Sequence, residues 1–281
     1  MIESWTCVTA TLRDEPEDWA PYHEVFARHG IDGTIVEEKP WRISGYCYDP
    51  ADVELDALKT ALAEAQVDGV QVALVPSVDW AEMWKQYFVP RRIGERFVVR
   101  PTWEAYETQP GDLEIVLDPG QAFGTGDHPT TRMCLELMER AALPGERVAD
   151  IGCGSGILSV GAMLLGAQSC VGVDVERASV EASRENAERN GVECTFFEGM
   201  GFQPLGDDGP YDVVLSNIIS AALITLAPHL PVWTTNGARW IMSGIIQANW
   251  PDVRAAAERH GFAYREHREE GEWVAALFDR V

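Results

Sequence analysis

Residues 148–156 constrain the fold of this chain more than any other stretch. Val148-Ala149-Asp150-Ile151 is a short apolar run that passes directly into Gly152-Cys153-Gly154-Ser155-Gly156, and an apolar helical pattern follows to Leu165. Alternating glycines at the end of a strand let the chain turn sharply and bring backbone against a ligand, because they carry no Cβ. Residues 171–175 read as the next strand, with Asp174 near its C-terminal end, 22 residues after Gly152. A carboxylate at that place accepts hydrogen bonds from both ribose hydroxyls of a nucleoside.

The alternation of strand and helix continues to the end of the chain. Residues 176–190 have a helical pattern closed by Gly191. Residues 194–197 form a third strand ending at Glu198-Gly199, and 211–215 a fourth ending at Ser216-Asn217. A helix is expected over 221–230, a fifth strand over 238–243 and a helix over 249–260. Residues 264–267 and 273–278 close the chain as a strand pair. This order implies an α/β fold with a parallel sheet. Ligands of such sheets sit beyond the carboxyl ends of the strands, where Gly152, Asp174, Glu198 and Asn217 fall.

The spacing of the glycines distinguishes between nucleotide ligands. A dinucleotide site needs G-x-G-x-x-G opening a helix, so that the helix dipole meets a phosphate. Here the loop is G-x-G-x-G, which suits a ligand without phosphate. S-adenosylmethionine needs close backbone at its methionine part, an acid for its ribose and a slot for its adenine, and it is the expected cofactor. NAD or FAD is one alternative; a glycine turn that binds nothing is another. Gly154 belongs with Gly152 in the cradle. Glu198 is placed to meet the adenine amino group, Phe123 to close over the cofactor, and Cys153 is read as a small residue of the turn.

The 281 residues suggest about two domains. The first 75 read as β-α-β-β-α-β, the ferredoxin-like split unit of an α+β domain. Its strands are 4–12, 31–38, 41–48 and 70–75, and its helices 17–29 and 51–66. Residues 79–88 read as a further helix ended by Pro90, with short strands at 97–99 and 113–117. No His/Cys/Asp cluster with metal spacing occurs in the first block, and no metal site is expected.

Charge marks the same division. Residues 1–80 carry a net charge of −11, residues 81–103 a net +3 and residues 104–281 a net −15, for a total of −23. An acidic surface of this size repels nucleic-acid phosphate and admits a basic partner. The connector cations Lys85, Arg91, Arg92, Arg96 and Arg100 either pair with neighbouring carboxylates or grip a substrate. No apolar run reaches the ~20 residues of a membrane span. The start of the chain lacks the basic and apolar regions of a secretory signal. The six cysteines are scattered without a C-x-x-C pair, as reduced thiols in a cytoplasmic protein would be.

Leu117-Asp118-Pro119-Gly120-Gln121-Ala122-Phe123-Gly124-Thr125-Gly126-Asp127-His128-Pro129-Thr130-Thr131 resembles the signature of the ribosomal protein L-eleven methyltransferases. So does Trp84-Lys85 followed by Phe88, Pro90, Ile93-Gly94, Pro101 and Trp103. Residues 150–158 and Ser216-Asn217-Ile218 complete the match. The resemblance implies a ferredoxin-like substrate-recognition domain over 1–76 and a linker with a helix over 77–104. A class I methyltransferase domain follows over 105–281, with a Rossmann-like sheet of seven strands, the last antiparallel. It also implies S-adenosylmethionine-dependent transfer to amino groups of ribosomal protein L-eleven, at lysine side chains and the N-terminal amine. The family's cofactor contacts fall on Thr131, Gly152, Asp174 and Asn217. Asp127 stands where the family has an uncharged residue.

Asn217 is the candidate for orienting the amine; a helix N-cap without ligand contact is its other reading. Asp127 and His128 either take a proton or hold their loop by hydrogen bonds. Thr130 or Thr131 is expected to cap the helix that follows. The competing functions are a methyltransferase of the same fold acting on lysine of another protein or on a small molecule, and a non-catalytic cofactor-binding module. Base methylation is disfavoured because Asn217-Ile218-Ile219-Ser220 replaces N-P-P-Y and no basic groove is evident. The chain is expected to act as a monomer without direct nucleic-acid or membrane binding.

Overall fold

Apolar side chains occupy both faces of the central strands in the second half of the chain, so both faces must be covered. The structure, a computed structural model, describes residues 4–16, 19–31, 34–37, 40–47, 55–65, 67–76, 88–118, 124, 126–141 and 143–281. They form two compact units, Met1–Phe88 and Val89–Val281.

The first unit contains β1 (Ser4–Leu12), α1 (Ala20–Arg28), β2 (Thr34–Glu37), β3 (Arg42–Cys47), α2 (Leu55–Glu64) and β4 (Val67–Pro76). Its strands form an antiparallel sheet in the order β2-β3-β1-β4, the ferredoxin-like topology expected from the sequence. Val8 and Ala10 of β1 and Ile43 of β3 bury against Phe26 of α1 and Leu58 and Leu62 of α2. Gly45 is needed there because a Cβ would enter the Phe26 ring.

The second unit opens with a small sheet: β5 (Arg91–Ile93) antiparallel to β6 (Phe97–Arg100), and β6 parallel to β7 (Leu113–Val116). β5 is not legible in the sequence; three residues are too few for a period. The helix expected over 79–88 lies outside the described residues except for Phe88.

A seven-stranded sheet follows. In chain order its elements are α3 (Pro129–Arg140), β8 (Arg147–Ile151), α4 (Ile157–Leu164), β9 (Ser169–Asp174), α5 (Arg177–Arg189), β10 (Cys194–Glu198) and β11 (Tyr211–Asn217). Then come α6 (Ser220–Leu226), α7 (Leu230–Trp233), β12 (Thr234–Ile246), α8 (Trp250–Arg259), β13 (Phe262–Glu270) and β14 (Trp273–Arg280). The strand order is β10-β9-β8-β11-β12-β14-β13, and the last strand runs antiparallel to both neighbours. This is the expected α/β arrangement. Val148, Leu215 and Ile241 pack on one face with α3 and α4. Ala149, Ile151, Val214 and Met242 pack on the other with α6 and α8.

The helix expected over 221–230 is two helices. Pro228 has no N–H to continue α6, and Pro231 starts α7 in its first turn, where a missing donor costs nothing.

Glu139 near the end of α3 ties the small sheet to the large one. Its carboxylate accepts backbone N–H bonds from Glu95 at 2.8 Å, Arg96 at 2.8 Å and Phe97 at 3.1 Å. Gly94 completes this turn at φ 61°, and a Cβ there would collide with that carboxylate. Glu139→Ala leaves three backbone donors without their acceptor. It should lower the unfolding free energy by about 1–3 kcal/mol, read from the urea midpoint. An unchanged midpoint would show that water replaces the carboxylate without loss.

Candidate active site

The carboxyl ends of β8, β9, β10 and β11 open into a cavity of ≈ 1090 Å³. Thr131, Gly152, Gly154, Asp174 and Asn217, from four separate stretches of chain, all line it.

The glycine loop is shaped by close approach. Gly152 has φ 82°, and a Cβ there would collide with the Ile218 side chain beyond β11. Its N–H donates to the Val173 carbonyl at 2.7 Å, so the loop folds back over the end of β9. Asp174 ends that strand, half-buried. One carboxylate oxygen accepts the Gly154 N–H and the other the Glu176 N–H, both at 2.9 Å. A carboxylate has about four lone-pair sites, so two backbone bonds leave room for two hydroxyls. The Gly199 N–H donates to the Asp174 carbonyl at 2.8 Å, fastening the end of β10 to the same point.

Asn217 ends β11. Its Nδ2 donates to Thr131 Oγ1 at 3.4 Å, while its Oδ1 is buried with no partner. An unmet buried acceptor costs about 1–3 kcal/mol. The residue itself lines the cavity. Asn217 does not cap the next helix, because Ile219 occupies that position, without a side-chain bond.

Thr131 is fully buried in the first turn of α3. The cap of α3 is neither Thr130 nor Thr131 but His128, whose Nδ1 accepts the Thr130 N–H at 3.4 Å. The reason is Pro129. A residue before proline is held extended, as His128 is at ψ 137°, and that is the backbone an N-cap requires. His128 also stacks edge-on with Trp273, ring centroids 4.9 Å apart.

Asp127 lies outside the cavity wall and pairs with Arg91 at 3.2 Å, while Arg132 donates to its backbone carbonyl. The loop-holding reading describes both Asp127 and His128. Arg92 with Asp112 and Arg100 with Glu114 are further pairs of connector cations with nearby carboxylates. Lys85 lies outside the described residues.

Phe123 also lies outside the described residues. Glu198 is exposed and lies off the cavity wall. The wall beside it is formed by Val175 and Met200, large apolar side chains left 61% and 68% exposed. Neither stands out in the sequence. Val175 reads as the last strand residue, but β9 ends at Asp174 and releases it to the rim.

Asp150 also escaped sequence reading. It is fully buried beneath the glycine loop, and Ser159 Oγ donates to one of its oxygens at 2.7 Å while the other has no partner. Burial pushes its carboxyl up to about 7, and the Asp174 charge adds to the shift against the Ser159 bond.

The Ribosomal protein L11 methyltransferase (PrmA) family model matches residues 2–280. The chain belongs to this family. A relative from Chloroflexus aurantiacus named ribosomal protein L11 methyltransferase is 35% identical over 325 residues, covering 99% of this chain and 98% of that protein. One from Geobacter metallireducens with the same name is 43% identical over 201 residues, covering 71% and 66%. Among solved structures, the ribosomal protein L11 methylase of Lactobacillus delbrueckii matches with a TM-score of 0.64 at 30% identity, over 69% of this chain and 99% of that one. The chain is thus a methyltransferase that uses S-adenosylmethionine.

The raised Asp150 value has a consequence for stability. The folded protein keeps this proton between about pH 4 and 7, where the unfolded chain has released it. Stability from this group is present at low pH and lost as pH rises through 7. Without cofactor, Asp150→Asn should match the wild type below about pH 4, where the carboxyl is protonated in both folded and unfolded chain. At pH 8 it should exceed the wild type by on the order of a few kcal/mol in urea unfolding. A gap that does not widen with pH would place the ionised carboxylate in water.

Proposed function

We propose that this protein transfers methyl groups from S-adenosylmethionine to amino groups of ribosomal protein L11, at lysine side chains and the N-terminal amine. Asn217 lines the cavity with its buried amide oxygen unpartnered, and this is the observation that carries the chemistry. The substrate rests on family membership.

The lining fits the cofactor. Gly152 and Gly154 leave backbone room for its methionine part, and the spare lone pairs of Asp174 suit its ribose hydroxyls. Val175 and Met200 offer apolar surface to its adenine. Thr131, at the N-terminal turn of α3, lies where the helix dipole favours the cofactor carboxylate. When bound, the cofactor supplies an electrophilic methyl on a sulfonium, with a neutral thioether as leaving group.

The residues of the chain have the acceptor to prepare. A lysine with a pKa near ~10.4 must lose its proton, at a cost of about 4–5 kcal/mol at pH 7. An apolar wall such as that of Ile218 disfavours the ammonium. Asn217 Oδ1 accepts an N–H of the neutral amine and turns its lone pair toward the methyl. Holding both partners in line replaces acid catalysis, which a neutral leaving group does not need.

In this reading residues 1–76 recognise the substrate and residues 105–281 carry the chemistry; of the expected linker 77–104, the part from Val89 on packs into the second unit. A net charge of −23 suits a basic client in the cytoplasm.

Asp174→Ala should weaken cofactor binding by about 10-fold or more in calorimetry, because a charged hydrogen-bonding residue contributes ~1.5–3 kcal/mol. Unchanged affinity would remove Asp174 from the site. Deleting residues 1–76 should leave cofactor binding intact and abolish labelling of L11 by radioactive cofactor. Labelled L11 from the truncated protein would refute the division of labour, and no label from the full chain would refute the substrate.

A further inference from the structure

Part of the cavity wall beyond the cofactor contacts is aromatic. Trp273, the first residue of β14, is half-buried and lines the cavity with His128, Asn217, Ile218 and Gly244. Its backbone is paired with Ile246 of β12 on one side and Glu270 of β13 on the other, so the indole is carried by the sheet and not by a loop. Its ring meets that of His128 at 69°, and His128 is itself held by the α3 cap and by Thr130 Oγ1 at 2.8 Å. Gly244 admits the approach of β12 to the chain beyond β11, since a Cβ there would collide with the Ile218 carbonyl oxygen. The aromatic wall is therefore supported from three sides.

An aromatic ring and a lone acceptor oxygen bind different states of an amine. Asn217 Oδ1 needs an N–H. Each transfer forms one N–C bond as the S–C bond breaks, and the nitrogen then releases a proton to water. Every methyl thus replaces one N–H, and the hold of Asn217 weakens with each round. An indole face attracts an alkylated cation whether or not it has a hydrogen to donate. Its apolar surface also takes the alkyl stem.

We propose that Trp273 is the acceptor-specificity residue of this enzyme, seating the amine's alkyl stem and its methylated head so that an amine already methylated is accepted again. This rests on the function proposed above.

The test uses the full-length protein, recombinant ribosomal protein L11 and the variants Trp273→Leu and Trp273→Phe. Calorimetry gives Kd for S-adenosylmethionine, initial rates give KM for L11, and mass spectrometry gives the number of methyls per site. Trp273→Leu should keep cofactor Kd within about 2-fold and raise KM for L11 by about 10-fold. It should also leave sites with fewer methyls, and Trp273→Phe should restore most of both. Unchanged KM and methyl number would overturn the proposal, as would a loss of cofactor affinity parallel to the loss of rate. Should the wild type add one methyl only, acceptance of a methylated amine is refuted and KM decides the rest. A wild type that methylates L11 while Trp273→Leu equals it sinks this inference alone. If the Trp273→Leu chain does not fold, Trp273→Phe decides the matter: its KM must rise, by less than 10-fold, at unchanged Kd.

Discussion

The site depends on one carboxylate that holds backbone. Both oxygens of Asp174 accept main-chain N–H groups, one from the glycine loop and one from the start of α5. Its carbonyl takes a third N–H, from the end of β10. Three strand ends are thus fixed to one residue before any ligand arrives. In the proposed site a ribose would meet an acceptor whose position is already set, which reduces the ordering cost of binding. The glycines follow from this geometry. At φ 82° with Ile218 overhead, position 152 has no room for a side chain.

The parts of this arrangement legible in the sequence are those with a periodic or compositional signal. Strand and helix alternate clearly from 147 onward, and the β-α-β-β-α-β order of the first block is written in its apolar spacing. The strand ends then placed Gly152, Asp174 and Asn217 along one edge of the sheet. What escaped was set by neighbours distant in sequence. Met200 is one residue among several after a strand; its exposure at the cavity rim depends on where β10 stops. Asp150 looks like any acid beside a glycine loop, and its burial follows from α3 and α4 covering that face. The cap of α3 went to His128 because Pro129 sets the backbone before it, which outweighs the intrinsic capping preference of Thr130 and Thr131.

The departure at Asp127 shows how a local charge is absorbed. A carboxylate beside a cofactor loop would oppose an anionic ligand group. Here Arg91, from the basic connector, faces it at 3.2 Å, and the side chain stays off the cavity wall. The pair is half-exposed, so its net contribution to stability is small. Its effect is on the field at the pocket, where the two charges cancel.

The reversed direction of β14 sets the layout of the site. In a purely parallel sheet only strand termini of one kind reach the functional edge, and each is followed by a helix that must stay packed. β14 runs the other way, so its beginning reaches that edge, next to a two-residue hairpin turn, Gly271-Glu272, between β13 and β14. Substitutions at this turn and at position 273 need not disturb the nucleoside-holding loops. The acceptor seat proposed at Trp273 thus stands on a part of the chain separate from the glycine loop and Asp174.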